Sequence, residues 1–159
     1  MVGLDSNARK NRSGSFFEKM CLEIIEPICK DYGIEVITQN GFKNLEEKFD
    51  IKINKELYHK KPDFTLVKDN KFLNIEVNFY NSAGSKPLEI IESYINRKND
   101  LRNINVDFIL ISDGPFWQKT HEENVEKAFD NISIMNYKTA KSGELRKKIK
   151  EIFNIQDSN

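Results

Sequence analysis

The sequence predicts an α/β domain with a mixed central sheet, in the element order α-β-β-β-α-β followed by a C-terminal α-β-α extension. Three observations predict it: helical periodicity over residues 15–33, period-two alternation on both sides of a turn within residues 63–80, and a near-continuous apolar run at residues 106–112. A chain of 159 residues fits one domain that buries roughly two-thirds of the surface exposed by its unfolded form.

The N-terminal elements begin with a polar stretch, residues 1–14, which is expected to be a basic arm or loop ahead of a single domain at 15–159. Ser13 or Ser15 can cap the helix that follows, Pro27 can kink it, and Gly33 ends it. A short strand is predicted at residues 34–38. Residues 40–61 are charged and weakly patterned, so they have no assignment.

The second half of the chain starts with a loop at residues 81–86. Pro87 suits the first turn of a helix that runs to about residue 103, with inward-facing Leu88, Ile91, Tyr94 and Ile95. The apolar strand at 106–112 is expected to be buried on both faces. A helix at 117–129, a strand at 132–137 and a basic amphipathic helix at 142–153 complete the prediction.

Two carboxylates are predicted to face each other across the hairpin of residues 63–67 and 72–80. If Asp69-Asn70 is the turn, Asp63 lies directly opposite Glu76, with Cβ atoms about 4.5–5.5 Å apart. Like charges at that distance raise one pKa unless a cation lies between them, and carboxylate oxygens suit Mg²⁺. The alternatives are an ordinary half-solvated hairpin and a one-residue slip that moves Glu76 to the core face. The residues expected on that core face are Phe64, Leu66, Leu73, Ile75, Val77 and Phe79.

Composition excludes few functions. Lys plus Arg and Asp plus Glu number 25 each, so the net charge is zero and any nucleic-acid footprint must be local. No apolar signal core or membrane-length run is present, which leads us to expect a soluble cytoplasmic protein. Cys21 and Cys29 are interpreted as buried hydrophobes, and His59 and His121 as surface or loop residues, because neither pair has metal-site spacing.

The element order, with Pro62-Asp63 on one hairpin strand and Glu76 on the next, resembles the PD-(D/E)XK nuclease core. Residues 3–14 (Gly-Leu-Asp-Ser-Asn-Ala-Arg-Lys-Asn-Arg-Ser-Gly), 75–80, 84–86 and 112–114 are similar to the DpnII/MboI type of type II restriction endonuclease, and the resemblance extends from residue 3 to about 145. It implies Mg²⁺-dependent cleavage of double-stranded DNA at GATC by a homodimer, paired with a DNA adenine methyltransferase. Members are usually longer, so we expect a fragment or a minimal form, and a non-cleaving DNA-binding relative is the alternative.

The resemblance also implies roles for individual residues. Asp63 and Glu76 would ligate Mg²⁺ together with the backbone carbonyl of Val77, and Glu18 would reach the ion through water. Asn78 stands where the superfamily usually has lysine and would position the attacking water. Lys86 would be the substitute cation, with Lys61 as runner-up. The residues expected to contact DNA, because Arg suits guanine and Asn suits adenine, are Asn7, Arg9, Lys10, Asn11 and Arg12.

Overall fold

The computed structural model describes residues 2–38, 41–81 and 86–157, with side chains from residue 14 onward in those ranges. The helices are α1 Val2–Tyr32, α2 Phe42–Phe49, α3 Lys55–Tyr58, α4 Pro87–Arg102, α5 Phe116–Lys119, α6 Glu122–Asn131, α7 Tyr137–Thr139 and α8 Leu145–Ile152. The strands are β1 Glu35–Thr38, β2 Phe64–Lys68, β3 Lys71–Phe79, β4 Val106–Asp113 and β5 Ser133–Met135. A kinked segment, Ala140–Glu144, joins α7 to α8.

The sheet is mixed and has the order β1-β2-β3-β4-β5. The first three strands pair in antiparallel fashion, whereas β4 runs parallel to β3 and β5 runs parallel to β4. The parallel β3–β4 pair requires a crossover, and α4 provides it. The predicted mixed sheet is therefore confirmed, and α2 and α3 occupy the stretch that the sequence left unassigned.

The β2–β3 hairpin has the predicted register. Asp69 and Asn70 form its turn with φ of 49° and 61°, the pair of positive values that a type I′ turn requires and that Asp and Asn tolerate. Phe64 pairs with Ile75, so one further step along the ladder brings Asp63 level with Glu76. The turn chemistry and the hydrophobic alternation agree, and together they exclude the one-residue slip.

Both faces of the sheet are covered. Helices α1 and α8 pack on one face, over a core that includes Phe64 and Ile75. The other face carries a second core formed with α2, α3 and α4, which includes Phe72 and Leu110. Glu76 lies on this second face with only 8% of its surface exposed, so the half-solvated hairpin is wrong. Phe79, expected in the core, is 38% exposed at the end of β3.

The N-terminal helix is longer than the sequence suggested. Its backbone starts at Val2 and passes through Gly14 and Pro27 without ending, so the loop conformation and the Ser13 or Ser15 cap are wrong. A helical glycine costs only about 1 kcal/mol relative to alanine, and the Ala, Arg, Lys and Leu residues of this stretch are good helix formers. The propensity of the whole segment therefore outweighs its two glycines.

Three further expectations differ in the C-terminal half. Leu88 is 40% exposed rather than inward, because it lies in the first turn of α4. The helix predicted at 117–129 is two helices, α5 and α6, since Thr120 has extended backbone angles. The last regular helix begins at Leu145, because Gly143 has φ of 121° and breaks the helical geometry. Within the described ranges, no helix has the length and apolar character needed to span a membrane.

Candidate active site

Asp63 and Glu76 meet at the open end of the hairpin, as the register predicts. The backbone N–H of Val77 donates a 2.9 Å hydrogen bond to Asp63 Oδ2, which fixes that carboxylate against β3. The Asp63 carboxylate lies close enough to Glu76 to raise the pKa of that side chain. Because two neighbouring ionised carboxylates repel each other, either one proton or a cation between them stabilises the pair.

Glu76 is held by a cation from a neighbouring helix. Arg97, on α4, donates from Nη1 to Glu76 Oε1 at 2.8 Å, and the two side chains are 20% and 10% exposed. Burial, followed by the hydrogen bond and charge of Asp63, raises the pKa of Glu76 to about 9, against the lowering effects of Arg97 and Asn74. One shared proton leaves the three charged groups neutral overall. Loss of that proton would leave one uncompensated negative charge that a metal ion could neutralise.

Polar atoms without a protein partner gather on the same face of the sheet. Asn74 donates to the carbonyl of Phe64 at 3.2 Å, but its own Oδ1 accepts no bond from the described residues. Thr65 Oγ1, opposite Asn74 in the ladder, and Arg97 Nε are also buried and unpaired in this part of the structure. Buried unpaired groups are costly and uncommon, so their concentration beside Glu76 indicates a functional region.

Asn78 belongs to a chain of hydrogen bonds. Trp117 Nε1 donates to Ser112 Oγ at 2.7 Å, and Ser112 Oγ donates to Asn78 Oδ1. Asn78 Nδ2 donates to Tyr94 OH at 2.6 Å, and that hydroxyl lies 3.1 Å from Tyr80 OH. Both polar atoms of the Asn78 amide are therefore occupied. A direct role for Asn78 in positioning water stays a prediction.

The lysines proposed from the sequence lie apart from this arrangement. Lys86, just before α4, is 68% exposed and pairs with Glu89 at 3.7 Å, while Lys61 is exposed. Arg97, which does contact Glu76, was missed because the inward face of α4 was assigned from apolar residues alone. Its position three residues after Tyr94 placed it beside that stripe, and this spacing was the available signal.

Glu18 lies at the Asp63 end of the sheet. It lines a cavity of about 340 Å³ together with Phe64 and Thr38, among other residues. Burial, followed by the charges of Asp113, Asp63 and Glu18, raises the pKa of the Cys21 thiol to about 12. The described residues contain no group of three His, Cys, Asp or Glu side chains arranged to hold a metal. The contact of Glu18 with the ion through water stays a prediction.

The residues expected to read DNA lie outside the described side chains. Asn7, Arg9, Lys10, Asn11 and Arg12 belong by backbone to α1, and nothing in the structure tests their role.

Comparison with known proteins defines the class of this protein, because its curated relatives are type II restriction enzymes. MjaIII from Methanocaldococcus jannaschii is 34% identical over 150 residues, which cover 91% of this chain and 52% of that enzyme. DpnII from Streptococcus pneumoniae is 32% identical over 139 residues (84% and 48%), and MboI from Moraxella bovis is 30% identical over 140 residues (87% and 47%).

The family is shown by a match to a family model that covers most of the chain. The model of the DpnII restriction endonuclease family matches residues 1–147. The chain therefore belongs to this family, and the expected resemblance is confirmed. It spans about half the length of the curated relatives it matches.

Similarity to solved structures is weak. A protein of unknown function, AF1548, aligns with a TM-score of 0.45 and 13% identity over 90% of this chain and 72% of its own. Protein VC1899 from Vibrio cholerae aligns with a TM-score of 0.43 and 15% identity over 71% of this chain and 31% of its own.

Proposed function

We propose that this protein is a site-specific deoxyribonuclease that hydrolyses phosphodiester bonds in double-stranded DNA with the help of Mg²⁺. One observation carries the proposal: the half-buried Asp63 is bonded to the backbone of Val77, directly beside Glu76, and the buried Glu76 is bonded to Arg97. Membership of the DpnII family supports DNA as the substrate. The printed names of the relatives support the restriction reaction.

The donor set fits Mg²⁺. This ion is often held by one or two carboxylates, with waters and substrate phosphates completing its octahedron. Asp63, Glu76 and the Val77 carbonyl would supply the protein's share, and Glu18 would act through water. A bound Mg²⁺ would lower the pKa of a ligated water and neutralise charge on the scissile phosphate.

The protein's own residues orient this site. The Val77 N–H holds Asp63, and Arg97 holds Glu76. We assign Asn78 the orientation of the attacking water and Lys86 a contact with a phosphate oxygen. The strand and helix order, which is α-β-β-β-α-β apart from α2 and α3 between the first two strands, supports a PD-(D/E)XK core, as do Asp63 just before β2 and Glu76 on β3.

Substrate recognition is assigned to the N-terminal segment, residues 1–14, with residues 15–159 as the catalytic domain. The polar and basic residues proposed to contact DNA are Asn7, Arg9, Lys10, Asn11 and Arg12. The family resemblance favours GATC, with protection of host DNA by an adenine methyltransferase. Because GATC is palindromic, a homodimer with one subunit per half-site is the natural arrangement.

Plasmid digestion tests the proposal. Unmethylated plasmid incubated with the protein and Mg²⁺ should give discrete fragments whose sequenced ends lie at GATC, and adenine-methylated plasmid should stay intact. Asp63→Asn should abolish cleavage without unfolding the protein. Asp69→Asn is the matched control, because Asp69 is an exposed hairpin aspartate whose positive φ asparagine also tolerates.

Two results would contradict the proposal. Cleavage that survives in Asp63→Asn would remove the assigned metal ligand from the reaction. DNA binding that weakens with salt but is never followed by fragments would instead identify a DNA-binding protein that does not cleave.

A further inference from the structure

Helix α4 is joined to β3 by two hydrogen bonds, and the two α4 residues that form them lie about one helical turn apart. Arg97 donates to Glu76, and the hydroxyl of Tyr94 accepts from Asn78. Glu76 and Asn78 are two residues apart on β3 and therefore point to the same face of the sheet. Each of these two polar side chains is thus held by its own residue from α4.

Arg97 supplies the positive charge next to Glu76. Asn78 is uncharged and has both of its polar atoms occupied, while Lys86 is exposed and paired with Glu89. A guanidinium remains charged at any pH that the protein tolerates and is more weakly hydrated than an ammonium group. It is therefore the side chain best suited to a mostly buried ion pair with Glu76.

Arg97 also retains unused hydrogen-bonding capacity. Its Nε is buried and finds no acceptor among the described side chains and backbone. A buried donor without a partner destabilises a fold, so simple packing does not explain an arginine at this position. A planar group that already binds one carboxylate and has a second donor edge available is suited to an oxygen-rich ligand set.

We propose that Arg97 is a positioning residue of the candidate active site. It holds Glu76 Oε1, so that the other carboxylate oxygen stays beside Asp63, and it supplies the positive charge that Asn78 cannot. This inference rests on the proposed function and assigns that site a residue from a fourth element, α4. Loss of such a supporting contact to a metal ligand typically costs about 10–100-fold.

The test compares Arg97→Lys with Arg97→Met. The lysine and methionine side chains have similar length but differ in charge. At saturating Mg²⁺, Arg97→Met should lower kcat roughly 10–100-fold and leave the KM for DNA within about threefold, because Arg97 acts through Glu76. Arg97→Lys should recover part of that loss. Arg102→Met is the matched control: it removes an exposed arginine from the same helix and should leave kcat unchanged.

A second measurement needs no cleavage and separates this inference from the proposed function. In EDTA, Arg97→Met should lower the melting temperature, and the loss should be smaller in a Glu76→Met background, because methionine has no oxygen that can accept from Arg97. Equal losses in both backgrounds would overturn the pairing. Equal kcat values for the Lys and Met variants would overturn the charge role. If the wild-type protein cuts no DNA but the coupling is present, the proposed function fails while the pairing stands.

Discussion

Replacing Glu76 with glutamine is expected to stabilise the metal-free protein at neutral pH. Burial and Asp63 raise the pKa of Glu76 from 4.5 to about 9, so the native state carries a proton at pH 7 that the unfolded chain lacks. Protonating a carboxyl of ordinary pKa at pH 7 costs about 3 kcal/mol, at about 1.4 kcal/mol per pH unit. Glutamine is neutral, can accept from Arg97 and can donate to Asp63, so it avoids that cost.

The sign of the pH dependence follows from proton uptake. Between pH 4.5 and about 9 the native state binds more protons at Glu76 than the unfolded state does, so this residue makes the wild type less stable as pH rises. The advantage of Glu76→Gln should therefore be near zero at pH 4.5 and about 3 kcal/mol at pH 7. For a domain of this size, that corresponds to roughly 6–12 °C in Tm.

Thermal unfolding in EDTA at pH 5, 7 and 8.5 measures this advantage. The exposed Glu89→Gln serves as the control and should show little difference at any pH. A Glu76→Gln protein that is less stable than wild type at pH 7, or whose advantage does not change with pH, would refute the shared-proton argument. Mg²⁺ should narrow the difference, because only the wild type has both proposed carboxylate ligands.

Three other perturbations give defined outcomes. Gly114→Ala should destabilise the protein by at least 1–3 kcal/mol, because Gly114 has φ of 107° and a Cβ there would lie 2.2 Å from the Tyr80 carbonyl oxygen; urea unfolding measures this, and wild-type stability would contradict it. Tyr94→Phe should cost about 1–3 kcal/mol in the same assay, since it removes the acceptor of the Asn78 amide. Both cysteine thiols are buried with raised pKa values, so a thiol reagent at pH 8 should label them only after unfolding, and rapid native labelling would contradict their placement.

The hairpin and the paired acids could be predicted because their determinants are local. Asp69-Asn70 favours one turn type, and the alternation that follows allows only one register on a sheet with an apolar face. Arg97 could not be predicted in the same way. Its contact joins residues 21 apart across a helix and a strand, and only the packing of α4 decides which polar side chain reaches Glu76.

The burial of Glu76 was also beyond the sequence pattern. Alternating polar residues on β3 suggested a solvent-facing side, yet α4 covers that side and leaves Asn74 and Glu76 inside. The start of the N-terminal helix was predicted wrongly for a different reason. Glycine and serine suggested a loop there, whereas helix propensity summed over the whole segment favours continuation from Val2.

The position of Trp117 allows the candidate site to be monitored by tryptophan fluorescence. It is the single tryptophan of the chain, and its indole N–H is bonded to Ser112, which in turn bonds Asn78 on the strand that carries Glu76. Tryptophan fluorescence therefore arises from a single ring that is connected to the site by two hydrogen bonds. Ligand titrations could be followed through the emission of this indole without any attached dye.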